Sequence, residues 1–288
     1  MYVFCIYDKL KKKIYLARDI PGEKPLYYYF NGKDFLFSSE AKAISKIVDL
    51  KPNKDKDFFN SFQYCLDKTL WKNLNQLKPA HYLTYDMNTK KINTYEYWSF
   101  KKRKIYKKDI QEELEFLLKD SLRIRLRSDV KLGIYYSGGV DSSLLNKLHK
   151  FDYKFHFNDN KDYLQDFKKR INKIVYHLDF PVGSLSSYPL YSLASRATKK
   201  VKVIISGEGA DELFGGYVRY LPLSLRHQLS DKFPSYKLMF NRIQKEDYCK
   251  MYTKIILKNN NFSLGEKLFK PIFEKFDDPV NAMGYVDF

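Results

Sequence analysis

Ten residues, Ile134-Tyr-Tyr-Ser-Gly-Gly-Val-Asp-Ser-Ser143, combine three kinds of group that bind phosphate: glycines, serine hydroxyls and a helix start. Apolar and aromatic residues run up to Tyr136 as a short buried strand would. Gly138 and Gly139 form a turn, and Leu144 and Leu145 open a helical pattern. Two glycines let the backbone come close to an anion. The amides of the first helical turn and the Ser137, Ser142 and Ser143 hydroxyls can then donate to it, with the helix dipole assisting. A pyrophosphate fits that cradle. Asp141 is a poor neighbour for bare phosphate but a good ligand for Mg²⁺ carried on it, since Mg²⁺ is commonly held by one or two carboxylates plus phosphate oxygens. Ser-Gly-Gly alone would suit an ordinary serine-capped turn; the longer run after an apolar strand points to a ligand.

Residues 203–217, Val-Ile-Ile-Ser-Gly-Glu-Gly-Ala-Asp-Glu-Leu-Phe-Gly-Gly-Tyr, repeat the plan with acids in place of serines. Another apolar strand ends in a Gly-rich turn, and Glu208, Asp211 and Glu212 stand at its tip. In a parallel α/β sheet two such strand ends can face one crevice at their carboxyl edges, where ligands bind.

The first stretch resembles the loop of the PP-loop ATP pyrophosphatases, which split ATP between its α and β phosphates and adenylate a substrate. The second, SGEGADELFGGY, resembles the second signature of the asparagine synthetases and of close relatives such as the β-lactam synthetases. Together they identify the chain as a member of the glutamine-hydrolysing asparagine synthetase family, truncated at both ends. The fold this implies is α/β. A PP-loop ATP pyrophosphatase (adenine nucleotide alpha hydrolase-like) parallel sheet with helices, at 109–288, follows a truncated N-terminal-nucleophile glutaminase β-rich domain at 1–100.

The resemblance also implies roles. Ser137, Gly138, Gly139, Ser142 and Ser143 would hold pyrophosphate, and Asp141 and Asp211 would share Mg²⁺. Gly207 would border the nucleotide, and Tyr135 would sit against its adenine. Glu208, with Asp211 as the second catalytic acid, would face an acyl-adenylate and take a proton from incoming ammonia. The implied reaction is ATP-dependent, AMP-forming amidation of aspartate to asparagine. Family members carry a phosphate-binding lysine beyond the stretch that residues 276–288 resemble. The chain is therefore expected to be impaired or to depend on a separate C-terminal synthetase chain or a homo-oligomer. A non-catalytic nucleotide-binding remnant and a basic PP-loop protein acting on RNA are the alternatives.

The 288 residues carry 52 Lys and Arg against 34 Asp and Glu, a formal charge of +18. The excess is spread out, its densest run being Lys101–Lys108, which a solvated linker explains as well as RNA contact does. Nucleic acid is thus not an expected partner. No apolar run reaches the length of a membrane span and no signal peptide opens the chain, so a cytoplasmic protein is expected. Cys5, Cys65 and Cys249 lie far apart, without metal or disulfide spacing.

Further elements must position the two turns. Four apolar runs, 2–7, 13–17, 25–30 and 34–37, read as a β-meander with a hairpin turn at Asn31-Gly32, followed by a helix capped by Ser38 or Ser39. Residues 17–28 followed by 37–44, and then 74–98, resemble the closing parts of the family's glutaminase domain. That domain's nucleophile is a cysteine at the mature N-terminus, whereas this chain opens Met1-Tyr2, so glutamine hydrolysis is not expected. Cys5 sits in a strand pattern and is expected to be buried. Asp109 should cap a helix reaching Arg127 that leads to the first motif, where Lys131 replaces a usual proline and Tyr135 and Tyr136 replace an aliphatic pair. Residues 153–158 read as a second strand. Residues 175–183 and 187–194 resemble the approach to the second motif, and one layer of the family's sheet is expected to be missing between them. His156 and His177 read as structural. Helical segments are expected at 221–229, 236–243, 248–257 and 268–276.

Overall fold

The computed structural model describes residues 1–54, 67–100, 109–157, 163–180 and 186–216. Residues 1–54, 67–100 and 175–180 belong to one compact unit, and 109–157, 163–174 and 186–216 to a second. The four late helical segments, the basic run at 101–108, Cys65 and Cys249 lie outside the described residues.

In chain order the first unit contains β1 (Val3–Asp8), β2 (Lys13–Arg18), β3 (Tyr27–Phe30), β4 (Phe35–Ser38), α1 (Ala41–Ile44), β5 (Leu74–Gln76), β6 (His81–Asp86) and β7 (Lys91–Glu96). The first four strands are two hairpins in different antiparallel sheets, not one meander. The sheets run β1-β2-β6-β7 and β4-β3-β5. The second edge of β2 is taken by β6, which leaves no place for β3. Arg18 fixes the crossing between sheets: its buried guanidinium donates to the carbonyls of Gly22, Lys24 and Leu77, each at 2.7 Å.

The run Tyr-Tyr-Tyr-Phe in β3 is apolar throughout because both of its faces are covered. Tyr28 and Phe30 meet Leu16, Leu83 and Tyr85 between the sheets, while Tyr27 and Tyr29 pack with Ala41 and Ile44 of α1. Asn31-Gly32 makes the expected turn into β4: Asn31 Oδ1 accepts the Lys33 and Asp34 N–H groups at 2.9 and 2.7 Å. The cap of α1 is Glu40, with no side-chain capping bond. Ser38 Oγ accepts the Glu40 N–H at 3.3 Å, two positions before the cap.

Cys5 is exposed, against the expectation of burial. Alternation sets the direction of a side chain but not its depth. Cys5 pairs with the fully buried Leu16, yet β1 is an edge strand whose Phe4, Ile6 and Tyr7 are also exposed. Partial desolvation pushes its thiol pKa up, away from a reactive thiolate.

The second unit contains α2 (Ile110–Arg125), β8 (Leu132–Tyr135), α3 (Val140–Leu148), β9 (Tyr153–Phe155), α4 (Tyr163–Leu178, its last turn in the first unit), α5 (Ser187–Ala197), β10 (Val203–Ile205) and α6 (Ala210–Phe214). Its sheet is parallel, in the order β10-β8-β9. On one face Leu132 and Ile134 of β8 meet Leu122 of α2, Leu145 and Leu148 of α3, and Ile205. On the other, Tyr135, Phe155 and Ile204 meet Leu193 and Ala197 of α5. Helices on both faces of a parallel sheet make this unit α/β. Asp109 occupies the cap position of α2 without a side-chain capping bond, and Glu112 and Glu113 place negative charge in the first turn. Among the described residues no helix is long and apolar enough to cross a membrane.

Gly133 is where the sheet is tightest. A Cβ there would lie 2.8 Å from both Ile204 Cδ1 and Phe155 Cε2. Gly133→Ala is expected to destabilise the fold by about 1–3 kcal/mol through overpacking. A lower urea midpoint at unchanged m-value would show this; an unchanged midpoint would mean that the layer yields freely.

Candidate functional site

The carboxyl end of β8 leads through residues 136–139 into α3. Gly138 has φ of 81°, a left-handed conformation that L side chains rarely adopt. The loop is braced from within. Ser137 Oγ accepts the Gly139 N–H at 3.2 Å and lies 3.1 Å from Ser142 Oγ, which donates to the Gly139 carbonyl at 3.3 Å. Ser142 is buried by these contacts, whereas Ser137, Gly138, Gly139 and Asp141 are exposed and Ser143 is half-buried. The first-turn N–H groups of α3 have no carbonyl partner within their own helix, so they can donate outward.

A second turn arrives beside the first. Parallel pairing sets Ile205 opposite Ile134, so β8 and β10 release their chains at the same edge of the sheet. The two turns then meet: a Cβ on Gly207 would lie 3.0 Å from Asp141 Cβ and 3.7 Å from the Ser142 nitrogen. Glycine is what allows the backbone at 207 to come this near. Gly209 then turns the chain into α6, whose first turn holds Asp211 and Glu212. Asp211 is also held from behind, because its carbonyl accepts the Gly216 N–H at 2.9 Å.

Glu208 is exposed, yet its pKa is pushed above the ordinary 4.5. Desolvation by the protein on one side of the carboxyl is the largest cause, followed by repulsion from Glu212 and from Asp211. The folded state therefore holds this proton more tightly than the unfolded chain does. The stability this group contributes is fully present below its ordinary pKa and is lost as pH rises through the raised one. Glu212→Gln removes the stronger repulsion and is expected to bring the Glu208 pKa down. Carboxyl-carbon NMR titration of the metal-free protein would read it, and an unmoved midpoint would mean that Glu212 contributes nothing to the shift.

Among the described residues no ion pair joins Asp141, Glu208 or Asp211 to a protein cation. Nor is there a group of three or more protein side chains poised to hold a metal. A donor set of few carboxylates, without an ion-pair partner among the described residues, beside a phosphate cradle fits Mg²⁺ that arrives with phosphate and is completed by its oxygens. Tyr135 is half-buried on the α5 face of β8, packed with Phe155, Ala197 and Val201, and burial pushes its hydroxyl pKa up. His156 and His177 pack edge-on to Tyr136 and Tyr176, with centroids at 5.0 and 5.6 Å.

Residues 1–98 match the model of a glutamine amidotransferase domain, and residues 113–157 and 160–270 match that of asparagine synthase. The chain belongs to the asparagine synthase family. It is 36% identical, over 77% of its length, to a Methanocaldococcus jannaschii protein described as a glutamine-hydrolysing asparagine synthetase, and the match covers 50% of that protein. Bacillus subtilis asparagine synthetase 1 is 31% identical over 78% of this chain and 41% of its own. The chain thus spans about half the length of the curated relatives it matches.

Both glycine-rich turns of the chain fall inside the asparagine synthase match, the first within 113–157 and the second within 160–270. Two contributors to the site were not assigned roles from sequence. Tyr136 places its hydroxyl 3.2 Å from Ser143 Oγ, and Asp152 Oδ2 accepts the Leu132 N–H at 3.2 Å at the start of β8. For Tyr136 the available signal was a hydroxyl-bearing residue at the first position after the strand. For Asp152 there was none, because it acts across strands.

Proposed function

We propose that this chain binds Mg·ATP at the two turns and uses it to activate a carboxylate, most simply the β-carboxylate of aspartate, as an AMP ester that ammonia converts to the amide. The observation that carries this reading is the contact between Gly207 and Asp141, which sets a phosphate cradle against a row of carboxylates. The second unit would be a PP-loop ATP pyrophosphatase sheet, and the first would derive from an N-terminal-nucleophile glutaminase.

The work divides among the residues. Gly138, Gly139 and the first turn of α3 would take the β and γ phosphates through N–H groups, with the hydroxyls of Ser137, Ser142 and Ser143 on the same side. Backbone at Gly207 would border the α phosphate, and Tyr135 would meet the adenine from the α5 wall. Asp141 and Asp211 would hold Mg²⁺, which when bound would neutralise phosphate charge as pyrophosphate leaves. A carboxylate oxygen attacks the α phosphorus and the bond to the bridging oxygen of pyrophosphate breaks. Ammonia then attacks the acyl carbon, Glu208 takes a proton from the attacking nitrogen, and AMP leaves with its oxygen. A raised pKa suits Glu208 to that task, since it brings the proton acceptor closer to working pH.

Because the relatives are about twice as long as the span matched, binding tests the reading more directly than net amide synthesis does. Titration calorimetry is expected to show Mg·ATP binding that is competed by inorganic pyrophosphate. No heat with Mg·ATP, or heat indifferent to pyrophosphate, would overturn the proposal.

A further inference from the structure

We propose that Tyr136 is a positioning residue of the phosphate loop: its hydroxyl aims the Ser143 O–H at a bound phosphate oxygen. The proposal rests on the Mg·ATP reading above. Three serine hydroxyls line the loop, but they are not equivalent. Ser137 and Ser142 are engaged with each other and with the backbone of Gly139, which holds the turn in shape. The hydroxyl of Ser143 is instead directed to the side chain of Tyr136, the first residue after β8, at 3.2 Å.

Two hydroxyls in contact share one hydrogen between them, and each has lone pairs to spare. If Ser143 donates to Tyr136, its only hydrogen is used inside the protein. If Tyr136 donates to Ser143, the serine hydrogen is free to point elsewhere. Phosphate oxygens accept and do not donate, so a bound phosphate selects the second arrangement. Tyr136 then acts as the donor behind the donor.

The position of Tyr136 makes the bond directional. Its backbone N–H donates to the Phe155 carbonyl at 3.0 Å, and its ring packs with the apolar layer between β8 and α3. His156 meets the ring edge-on at 5.0 Å, and the Lys154 ammonium lies 5.8 Å from its centroid. The other end is equally fixed, with the Ser143 N–H on the Gly139 carbonyl at 3.0 Å. One partner opens the loop just after the strand and the other stands on the helix, so the bond spans the loop that the phosphate would enter.

Tyr136→Phe keeps the ring and removes the hydroxyl. Calorimetry is expected to show about fivefold weaker binding of both Mg·ATP and inorganic pyrophosphate, the size of one neutral hydrogen bond. AMP, which lacks the β and γ phosphates, should bind as before. In a Ser143→Ala background the same replacement should cost nothing further, since the group it orients is gone. A packing role would weaken all three ligands and would persist in that background. Ser143→Ala alone, which leaves the ring untouched, should reproduce the Tyr136→Phe loss even if the tyrosine variant proves less stable. If the natural chain binds neither Mg·ATP nor pyrophosphate, the reading of the whole site fails and this role with it. If it binds both and Tyr136→Phe binds them as tightly, only the role of Tyr136 is overturned.

Discussion

Asp141→Asn is expected to weaken Mg·ATP binding by about a hundredfold, on the scale of losing a metal-orienting group, while leaving metal-free ATP binding nearly unchanged. The substitution keeps the shape of the side chain, so the contact between Asp141 and Gly207 survives and the two turns stay together. What is lost is one negative charge at the mouth of a cradle in which no described cation pairs with it. In EDTA that charge only repels phosphate, so its removal should be neutral or slightly helpful. With Mg²⁺ present it becomes the anchor of the ion. Titration calorimetry of both proteins with ATP, each with Mg²⁺ and with EDTA, separates the two effects. An equal loss in both media would mean that Asp141 shapes the loop and does not hold a metal.

Glu208→Gln is expected to slow ammonia-dependent amide formation by about a hundredfold or more, the usual contribution of a positioned proton acceptor. Glutamine matches glutamate in size but cannot take a proton from the attacking nitrogen. The first half of the reaction has no such need, because a carboxylate arrives already deprotonated. Isotope exchange between pyrophosphate and ATP, driven by aspartate, should therefore stay close to the rate of the natural chain. Comparing the two assays on one protein preparation tests the assignment. A parallel fall in both would move Glu208 from proton transfer to binding of the nucleotide or the metal. The acid limb of amide formation offers a second reading. It should lie above the ordinary glutamate range, since the proton must leave Glu208 before it can accept another.

The chain determined by itself whatever depends on neighbours in sequence. Alternation and turn residues located seven of the strands to within a few positions, and Asn31-Gly32 specified its hairpin because a turn is decided by four consecutive residues. The two glycine-rich turns were legible for the same reason: an apolar strand, small residues and a helix start make a local pattern. Tertiary structure decided what depends on partners distant in sequence. The first four strands entered two sheets because β6 takes the edge of β2 that a meander would give to β3, and Arg18 ties the chain leaving β2 through the carbonyls of Gly22, Lys24 and Leu77. Cys5 is exposed because edge position, and not period, sets depth. Serine composition likewise could not show that Ser142 braces the loop while Ser143 faces Tyr136. Gly207 had a role implied by resemblance. Its reason, a backbone so near that a Cβ at 207 would lie 3.0 Å from Asp141 Cβ, exists only once β10 pairs beside β8. The raised pKa of Glu208 also needs the fold, because its largest cause is desolvation by surrounding protein, while the lesser repulsions come from Glu212 and Asp211 of the same turn.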